Sequence, residues 1–318
     1  MTSRLREYVL EAVLVMMCIA LAVAAPGFLS PENLLNVLRN VSMQGIVAFG
    51  MTMVIIAGEI DLSVGSAVAF AGCLTAWLAG ALNAPNVGMP MTAAIPIAIL
   101  ASLVAGMLTG LISGVLRVRF GVPTFITTLA WLTILRGISG LVTGGFQLIS
   151  LPPWYGFFGG GRIWQIPVPA IVFILVFLVI WAVMNYTTFG RAVYAVGGNA
   201  EASRLSGIHV DAVKIGVMVI VSALSVLAGI MQSSQIMQGS HTTAMGWELD
   251  IIAAVIIGGT SLSGGAGRVW GTLIGVLFLG VLVNGMTLLN ISEFWQQVVR
   301  GALILSAVLM NVAPSSRR

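Results

Sequence analysis

Charge is what this sequence has least of. Only 8% of its 318 residues are Asp, Glu, Lys or Arg, against 58% hydrophobic. A soluble domain carries about 25% charged residues. So few polar groups cannot cover a water-facing surface, and the composition is that of an integral membrane protein. Lysine occurs once, at Lys214, and no glycine loop precedes it. A G-x-x-x-x-G-K-[ST] loop is therefore impossible, and the chain does not hydrolyse ATP by that route. Histidine occurs twice, at His209 and His241, and cysteine twice, at Cys18 and Cys73. There is no H-E-x-x-H, no Cys/His cluster and no G-x-S-x-G elbow, so zinc catalysis and a serine nucleophile have no footing. Both cysteines lie in apolar runs and read as small buried hydrophobes, with no disulfide framework. No cofactor is implied. Thirteen of the fourteen cations are Arg, scattered through short loops. That is the distribution of topology determinants rather than of a nucleic-acid surface.

What is present is a series of apolar runs. Spanning the hydrocarbon takes about 20 helical residues. Spans are expected near 9–28, 41–57, 64–82, 91–116, 123–143, 168–186, 213–233, 248–259, 270–289 and 294–312, about ten in all. Residues 30–40, SPENLLNVLRN, read as a separate short interfacial helix, with Ser30 as N-cap and Pro31 at the first helical position. Arg4 and Arg6 before a run ending Ala22-Val23-Ala24 match a leader-peptide pattern, but the run is long enough to span and is read as the first helix. The stretch 144–167, rich in Gly, Pro and aromatics, reads as an external loop with an interfacial aromatic belt. With an internal N-terminus, ten cations fall on internal segments. Only Arg39 and Arg162 fall outside, and Arg136 and Arg300 lie within spans. Both termini and the polar block 187–212 are then cytoplasmic. The strings VIIAGEIDLSVG (54–65) and VIIGGTSLSGG (255–265) align with one gap, a possible internal repeat of the kind transporters carry.

Polar residues in such a chain need a reason. Glu59 and Asp61, followed by Ser63, sit near a span end in AGEIDLSVGS (57–66). They read either as a gate or pathway element or as a solvated turn in which Asp61 caps the next helix. Arg136 and Arg300 each precede a glycine inside apolar sequence; interfacial anchoring or packing along the side-chain stem competes with a pathway role. Asn40, Gln44, Gln232, Gln235 and Asn284 have the chemistry to hydrogen-bond a polyol crossing the bundle, or to bond neighbouring helices. Gly106, Gly110 and Gly114 form a G-x-x-x-G-x-x-x-G ridge suited to close helix packing. In GGNAEASRLSGI (197–208), the two glycines break the preceding structure, Asn199 is an N-cap, and Ala200 to Leu205 form a stub helix with Glu201 at its positive end. Gly207 ends it in the left-handed conformation. A helix so short is unstable alone and makes sense if another protein receives it.

That segment resembles the cytoplasmic loop of permease subunits in ribose-type sugar ABC importers. GEIDLSVGS (58–66), PTFITTLAWLTILRG (123–137) and ELDIIAAVIIGGTSLSGGAGRVWGTLIGVL (248–277) resemble further signatures of that family, in order, over about 40–310. The resemblance implies an all-α integral membrane protein similar to type II ABC importers, a single permease domain over 1–318 in the bacterial inner membrane. It implies that Gly198, Asn199, Glu201, Ala202, Arg204, Gly207 and Ile208 belong to a coupling element that docks on a cytoplasmic ATP-binding subunit. A second permease subunit, identical or related, would enclose the pathway, and a periplasmic sugar-binding protein would deliver a pentose, deoxyhexose or polyol-like cargo to the external loops. The chain itself would be no enzyme. Two departures stand out: Glu59 replaces a Gly, and Ser203 replaces an Ala. Because the likeness covers Asp61 and departs at Glu59, Asp61→Asn is expected to be clearly defective in uptake per assembled complex and Glu59→Gln only mildly so. The competing functions are an ion-coupled secondary transporter, with Glu59 and Asp61 as its ion site, and a membrane-embedded enzyme.

The charge asymmetry generates a direct test. A cysteine placed at Ser150 should react with an impermeant thiol reagent added outside intact cells. One placed at Ser206 should react only once the membrane is opened. The reverse pattern would overturn the orientation.

Overall fold

The apolar runs fold as helices. The computed structural model of the chain describes residues 9–149 and 151–312. Arg4, Arg6, Ser150, Arg317 and Arg318, which entered the orientation argument, lie outside the described residues. In chain order the elements are α1 (Val9–Ala24), α2 (Pro31–Ile56), α3 (Val64–Asn83), α4 (Met91–Phe120), α5 (Thr124–Thr143) and a single 3-10 turn at Pro153–Gly156. Then come α6 (Phe157–Gly160), β1 (Arg162–Ile163), β2 (Ile166–Pro167), α7 (Val168–Tyr186), α8 (Thr188–Gly198) and α9 (Ala200–Leu205). The chain continues through α10 (Val210–Ile236), α11 (Trp247–Ile257), α12 (Val269–Leu288) and α13 (Glu293–Val312). The expectation of an all-helical chain holds apart from β1 and β2, a two-residue antiparallel pair.

Seven of the described helices, α2, α3, α4, α5, α7, α10 and α12, are long and apolar enough to cross a membrane. The expectation of about ten spans is thus met only in part, and two of its segments are redrawn. Residues 30–40 are not a separate interfacial helix. Ser30 does cap the helix, accepting from the Asn33 N–H at 3.3 Å, and Pro31 does stand at its start, but α2 runs on unbroken to Ile56. No Pro or Gly interrupts residues 32–44. The polar Asn33, Asn40 and Gln44 recur at helical spacing on one face, so a membrane helix accommodates them without a break. Residues 248–259 are not a full span either. α11 has 11 residues, which cover only about 16 Å of the hydrocarbon core.

Before α11 the backbone leaves the helix. α10 ends at Ile236, Met237 adopts the left-handed region at φ 55°, and 240–246 is a run of turns with Ala244 at φ 56° and Gly246 at φ 80°. Irregular backbone is tolerated within a membrane protein only where its polar groups find partners. Here they do. Arg136, on α5, donates from Nη1 to the carbonyls of His241 and Thr243, the latter at 2.8 Å. Leu148 and Gly239 exchange both backbone hydrogen bonds, at 3.0 and 2.9 Å. The aromatic loop before α7 is folded onto this region. Tyr155 is fully buried, its hydroxyl 3.0 Å from the Ile230 carbonyl and 2.7 Å from Ser233 Oγ.

Lipid tails are as apolar as Leu, so helices in a membrane associate through close packing more than through water exclusion. The Gly106–Gly110–Gly114 ridge does this work on α4. A Cβ on Gly110 or Gly114 would run into the backbone of Met218 or Ile215, and one on Gly106 into Val226, all on α10. At the centre of the bundle α2 buries Met43, Met51, Met53 and Phe49, whose ring stacks on Phe173 of α7 at 5.1 Å.

The two similar strings leave their helices by the same turn. After α2, the N–H groups of Ala57, Gly58 and Glu59 donate to the carbonyls of Met53, Ile55 and Val54. After α11, those of Gly258, Gly259 and Thr260 donate to Ala254, Ile256 and Val255, position for position. Gly58 and Gly259 take φ of 78° and 87°, the left-handed cap that glycine adopts without a Cβ clash. The repeat is therefore structural as well as textual.

Glu59 is tied into the fold by three partners. It is 4% exposed and accepts from Arg117 Nε at 2.8 Å, Lys214 Nζ at 2.5 Å and Thr124 Oγ1 at 2.8 Å. One carboxylate thus ties α2's end to the C-terminal turn of α4, the first turn of α5 and the first turns of α10. Neutralising it leaves two cations facing each other in a poorly solvated site. Glu59→Gln should therefore destabilise the chain, by about 3–5 kcal/mol if the whole buried pair is lost. Thermal unfolding of the purified protein in detergent measures this, and a melting curve matching wild type would show that the network carries no weight.

Candidate functional site: a polar cavity and a glycine-jointed end

Five polar side chains that the sequence scatters over 245 positions meet in one place. Asn40, Gln44, Gln232, Gln235 and Asn284 line a cavity of about 380 Å³ between α2, α10, α11, α12 and α13. Its apolar wall includes Val37, Val41, Ile236 and Leu279. Their positions follow from the helices. Asn40 and Gln44 are one turn apart on α2, and Asn33, nearly two turns before Asn40, extends the same stripe. The Asn33 and Asn284 side chains exchange hydrogen bonds at 3.0 and 2.8 Å, which fixes α12 against α2 at the cavity's edge. Gln232 and Gln235 come from the last turns of α10, just before the chain leaves the helix. A cavity of this size, with an apolar wall and several convergent amides, is the form a small-molecule site takes.

Three further lining residues had not been picked out: Trp247, Asp250 and Thr287. Arg300, for which a pathway role competed with anchoring or packing along its stem, lines the cavity too, and its Nη1 donates to Asp250 Oδ2 at 2.9 Å. A signal for the pair was present in the sequence. Asp250 and Arg300 are opposite charges in separate apolar runs, and intramembrane charges tend to find each other.

Glu59, Asp61, Ser63 and Arg136 lie elsewhere. Glu59 is the ion-pair node just described, and Arg136 holds the irregular backbone at 241–243. Asp61 is 1% exposed and accepts from the Ser63 N–H at 2.7 Å and the Ser63 hydroxyl at 2.6 Å, immediately before α3 begins at Val64. Its carboxylate thus holds Ser63, the N-cap residue of α3, in a local turn, while α3 itself has no side-chain cap hydrogen bond; the site is buried rather than the solvated capped turn of the alternative reading.

The segment 187–208 is two helices rather than one stub. Thr187 caps α8, accepting from the Gly190 N–H at 3.1 Å. Gly197 and Gly198 close α8 instead of breaking it. The break falls at Asn199, whose backbone is extended and whose side chain caps α9 through the Ala202 N–H at 2.9 Å. Gly207 is left-handed at φ 84°. Glu201, Ala202, Arg204 and Gly207 are exposed, Ile208 packs partly against the core, and Leu205 is 81% exposed. The glycines have another task. A Cβ on Gly197 would overlap the Ile56 carbonyl oxygen, and one on Gly264 would meet the Gly197 carbonyl at 2.8 Å and Gly58 Cα at 3.1 Å. The Gly265 N–H donates to the Ile56 carbonyl at 2.8 Å, and the Tyr194 hydroxyl donates to the Gly267 carbonyl at 3.0 Å. The two repeated turns and the end of α8 therefore touch backbone to backbone. The start of α1 lies at this same end, where Trp270 Nε1 donates to Glu11 at 3.3 Å.

The family model for the branched-chain amino acid transport system / permease component matches residues 33–308. The chain belongs to this permease family. It is 45% identical over 301 residues to the ribose import permease protein RbsC of Bacillus subtilis (strain 168), covering 94% of this chain and 90% of that one. It is 40% identical over 306 residues to RbsC of Escherichia coli (strain K12), covering 95% and 92%. To the L-arabinose transport system permease protein AraH of the same strain it is 35% identical over 314 residues, covering 96% and 90%. No solved structure matches the chain. This permease is thus a multi-pass membrane protein whose relatives move pentoses.

The backbone contact at Gly197 separates two adjacent glycines in an experiment. Gly197→Ala should disrupt the joint with Ile56 and Gly265 and sharply lower transport or the yield of assembled protein. Gly198→Ala, where a Cβ would meet nothing within 4 Å, should leave both near wild type. Equal behaviour of the two variants in an uptake assay would show that the close approach is unimportant.

Proposed function

We propose that this permease is the transmembrane subunit of an ATP-binding-cassette importer and passes a neutral sugar, of pentose kind, across the bacterial inner membrane. The observation that carries the reading is the cavity lined by Asn40, Gln44, Gln232, Gln235 and Asn284. Amides both donate and accept hydrogen bonds, which suits a ligand made of hydroxyl groups. Trp247 offers a flat apolar surface for the C–H face of a ring. The names of the ribose and arabinose relatives point to the same substrate class.

In this reading the chain is one permease domain with 187–212 as its cytoplasmic coupling element, and both termini lie on that side. A separate ATPase receives α9, with Glu201, Ala202, Arg204, Leu205 and Gly207 as the exposed surface and Ile208 as its anchor. Movement of α8 and α9 passes through Gly197 to the turns at Gly58 and Gly264–Gly265, and so to the ends of α2 and α11, both of which wall the cavity. A second permease chain completes the pathway, and a periplasmic binding protein supplies the sugar. The ion-coupled alternative finds less support, because the Glu59 carboxylate is engaged by two cations and Asp61 by Ser63, and neither lines the cavity.

Uptake into proteoliposomes should require the ATPase and ATP. Uptake by the chain alone along a proton or sodium gradient would favour the ion-coupled reading. Glu201→Lys reverses a charge on exposed α9 without touching the core. It should leave insertion intact while lowering ATPase co-purification and uptake together, and unchanged values of both would remove the docking role.

A further inference from the structure

Asp250 and Arg300 are the charged side chains among the residues that line the cavity; the other polar side-chain groups there are amides, the Thr287 hydroxyl and the Trp247 indole N–H. The pair joins the first turn of α11 to the middle of α13, with side-chain exposures of 16% and 25%. Arg300 Nε is buried at this site and has no acceptor among the described residues. Desolvating two charges is costly, and where the only need is to hold two helices together, apolar contact serves as well or better. An ion pair set in a cavity wall beside an unmatched donor has a different use: it presents strong acceptors and donors side by side while adding no net charge.

The geometry points to the Asp250–Arg300 pair as the element that makes the cavity select neutral polyhydroxyl ligands over anionic ones. Ligand hydroxyls donate to the Asp250 carboxylate and accept from the Arg300 guanidinium, with Trp247 alongside. An acidic derivative of the same sugar meets the Asp250 carboxylate as a like charge, and Arg300 is already neutralised. The inference rests on the cavity being the sugar's passage and names the residues that choose what enters it.

A thiol-protection assay tests both levels separately. The full chain, with Cys18 and Cys73 replaced by Ala and Val283→Cys introduced as a reporter on the cavity's apolar wall, is assembled with its ATPase in lipid nanodiscs. The rate of labelling at position 283 is measured with D-ribose or D-ribonate present. In the parent chain, D-ribose should slow labelling and D-ribonate should not. Asp250→Asn leaves Arg300 as an unpaired cation in the cavity. It should weaken D-ribose protection by about tenfold or more, as expected when one partner of a desolvated pair is removed, and D-ribonate should now protect. Adding Arg300→Gln to Asp250→Asn restores neutrality and should abolish the D-ribonate effect; a mere folding defect would not be reversed by a second substitution. If Asp250→Asn keeps the parent's preference for D-ribose over D-ribonate, the selective role of the pair is overturned while the passage stands. If neither sugar protects position 283 in the parent chain, the passage itself is overturned.

Discussion

Everything unusual in this chain follows from one constraint: inside a bilayer, each backbone N–H and C=O needs a partner within the protein. Helices satisfy it by themselves. The segment between α10 and α11 does not, and an unusual amount of side-chain chemistry is gathered around it. Arg136 supplies donors to two carbonyls, Leu148 pairs with Gly239, and Tyr155 closes over the end of α10 with bonds to Ile230 and Ser233. Met237, Ala244 and Gly246 accept the positive φ values that the bend requires. The outcome is a helix that begins partway through the bundle, so that Trp247 and Asp250 on its first turn stand at a cavity rather than inside a continuous wall. A straight helix through 237–257 would satisfy the same backbone groups more simply and would close that space.

The second physical theme is contact without side chains. Of the 38 glycines, those at 197, 264 and 265 bring three separate backbone segments together at the end that bears α8 and α9. Backbone joints of this kind are stiff, because nothing between the segments can change rotamer. In the proposed coupling, this is the joint that would carry a displacement of α8 to the two repeated turns. The same logic on α4 holds the Gly106–Gly110–Gly114 face against α10. The helix that starts just after α9 is in this way tied along its length, and Glu59 fixes its first turns through Lys214.

Sequence and structure agree best where the signal is local. The caps at Ser30 and Asn199, the left-handed Gly207, the glycine ridge and most span positions are set by residues within a few positions of each other, and all were legible. So was the likeness of 54–65 to 255–265, whose shared hydrogen-bond pattern is a local matter too. Errors came from segments whose form depends on distant partners. Residues 248–259 are apolar enough to suggest a span, yet the chain before them is held off the helical path by Arg136, more than a hundred positions earlier. Gly197–Gly198 looked like a break because glycine is a weak helix former. The structure instead uses the missing Cβ atoms for contact, and the break falls at Asn199. The partners of Glu59, Arg117, Thr124 and Lys214, could not be read along the chain either, since none of them is its neighbour in sequence.

By itself, the sequence determined that this is a multi-pass membrane protein of a transport-permease family, without a phosphate loop, with a polar helical element between two spans. Those conclusions rest on composition, on charge distribution and on motifs read along the chain, which survive any arrangement of the helices. Only the tertiary structure decided that Asn40, Gln44, Gln232, Gln235 and Asn284 share one cavity while Glu59, Asp61 and Arg136 do not. It alone decided that Asp250 and Arg300 meet there. A polar residue on a membrane helix has several faces and neighbours open to it, and its role depends on which helices pack beside it. That choice is made by close contact between segments far apart in the chain, and no periodicity along the chain records it.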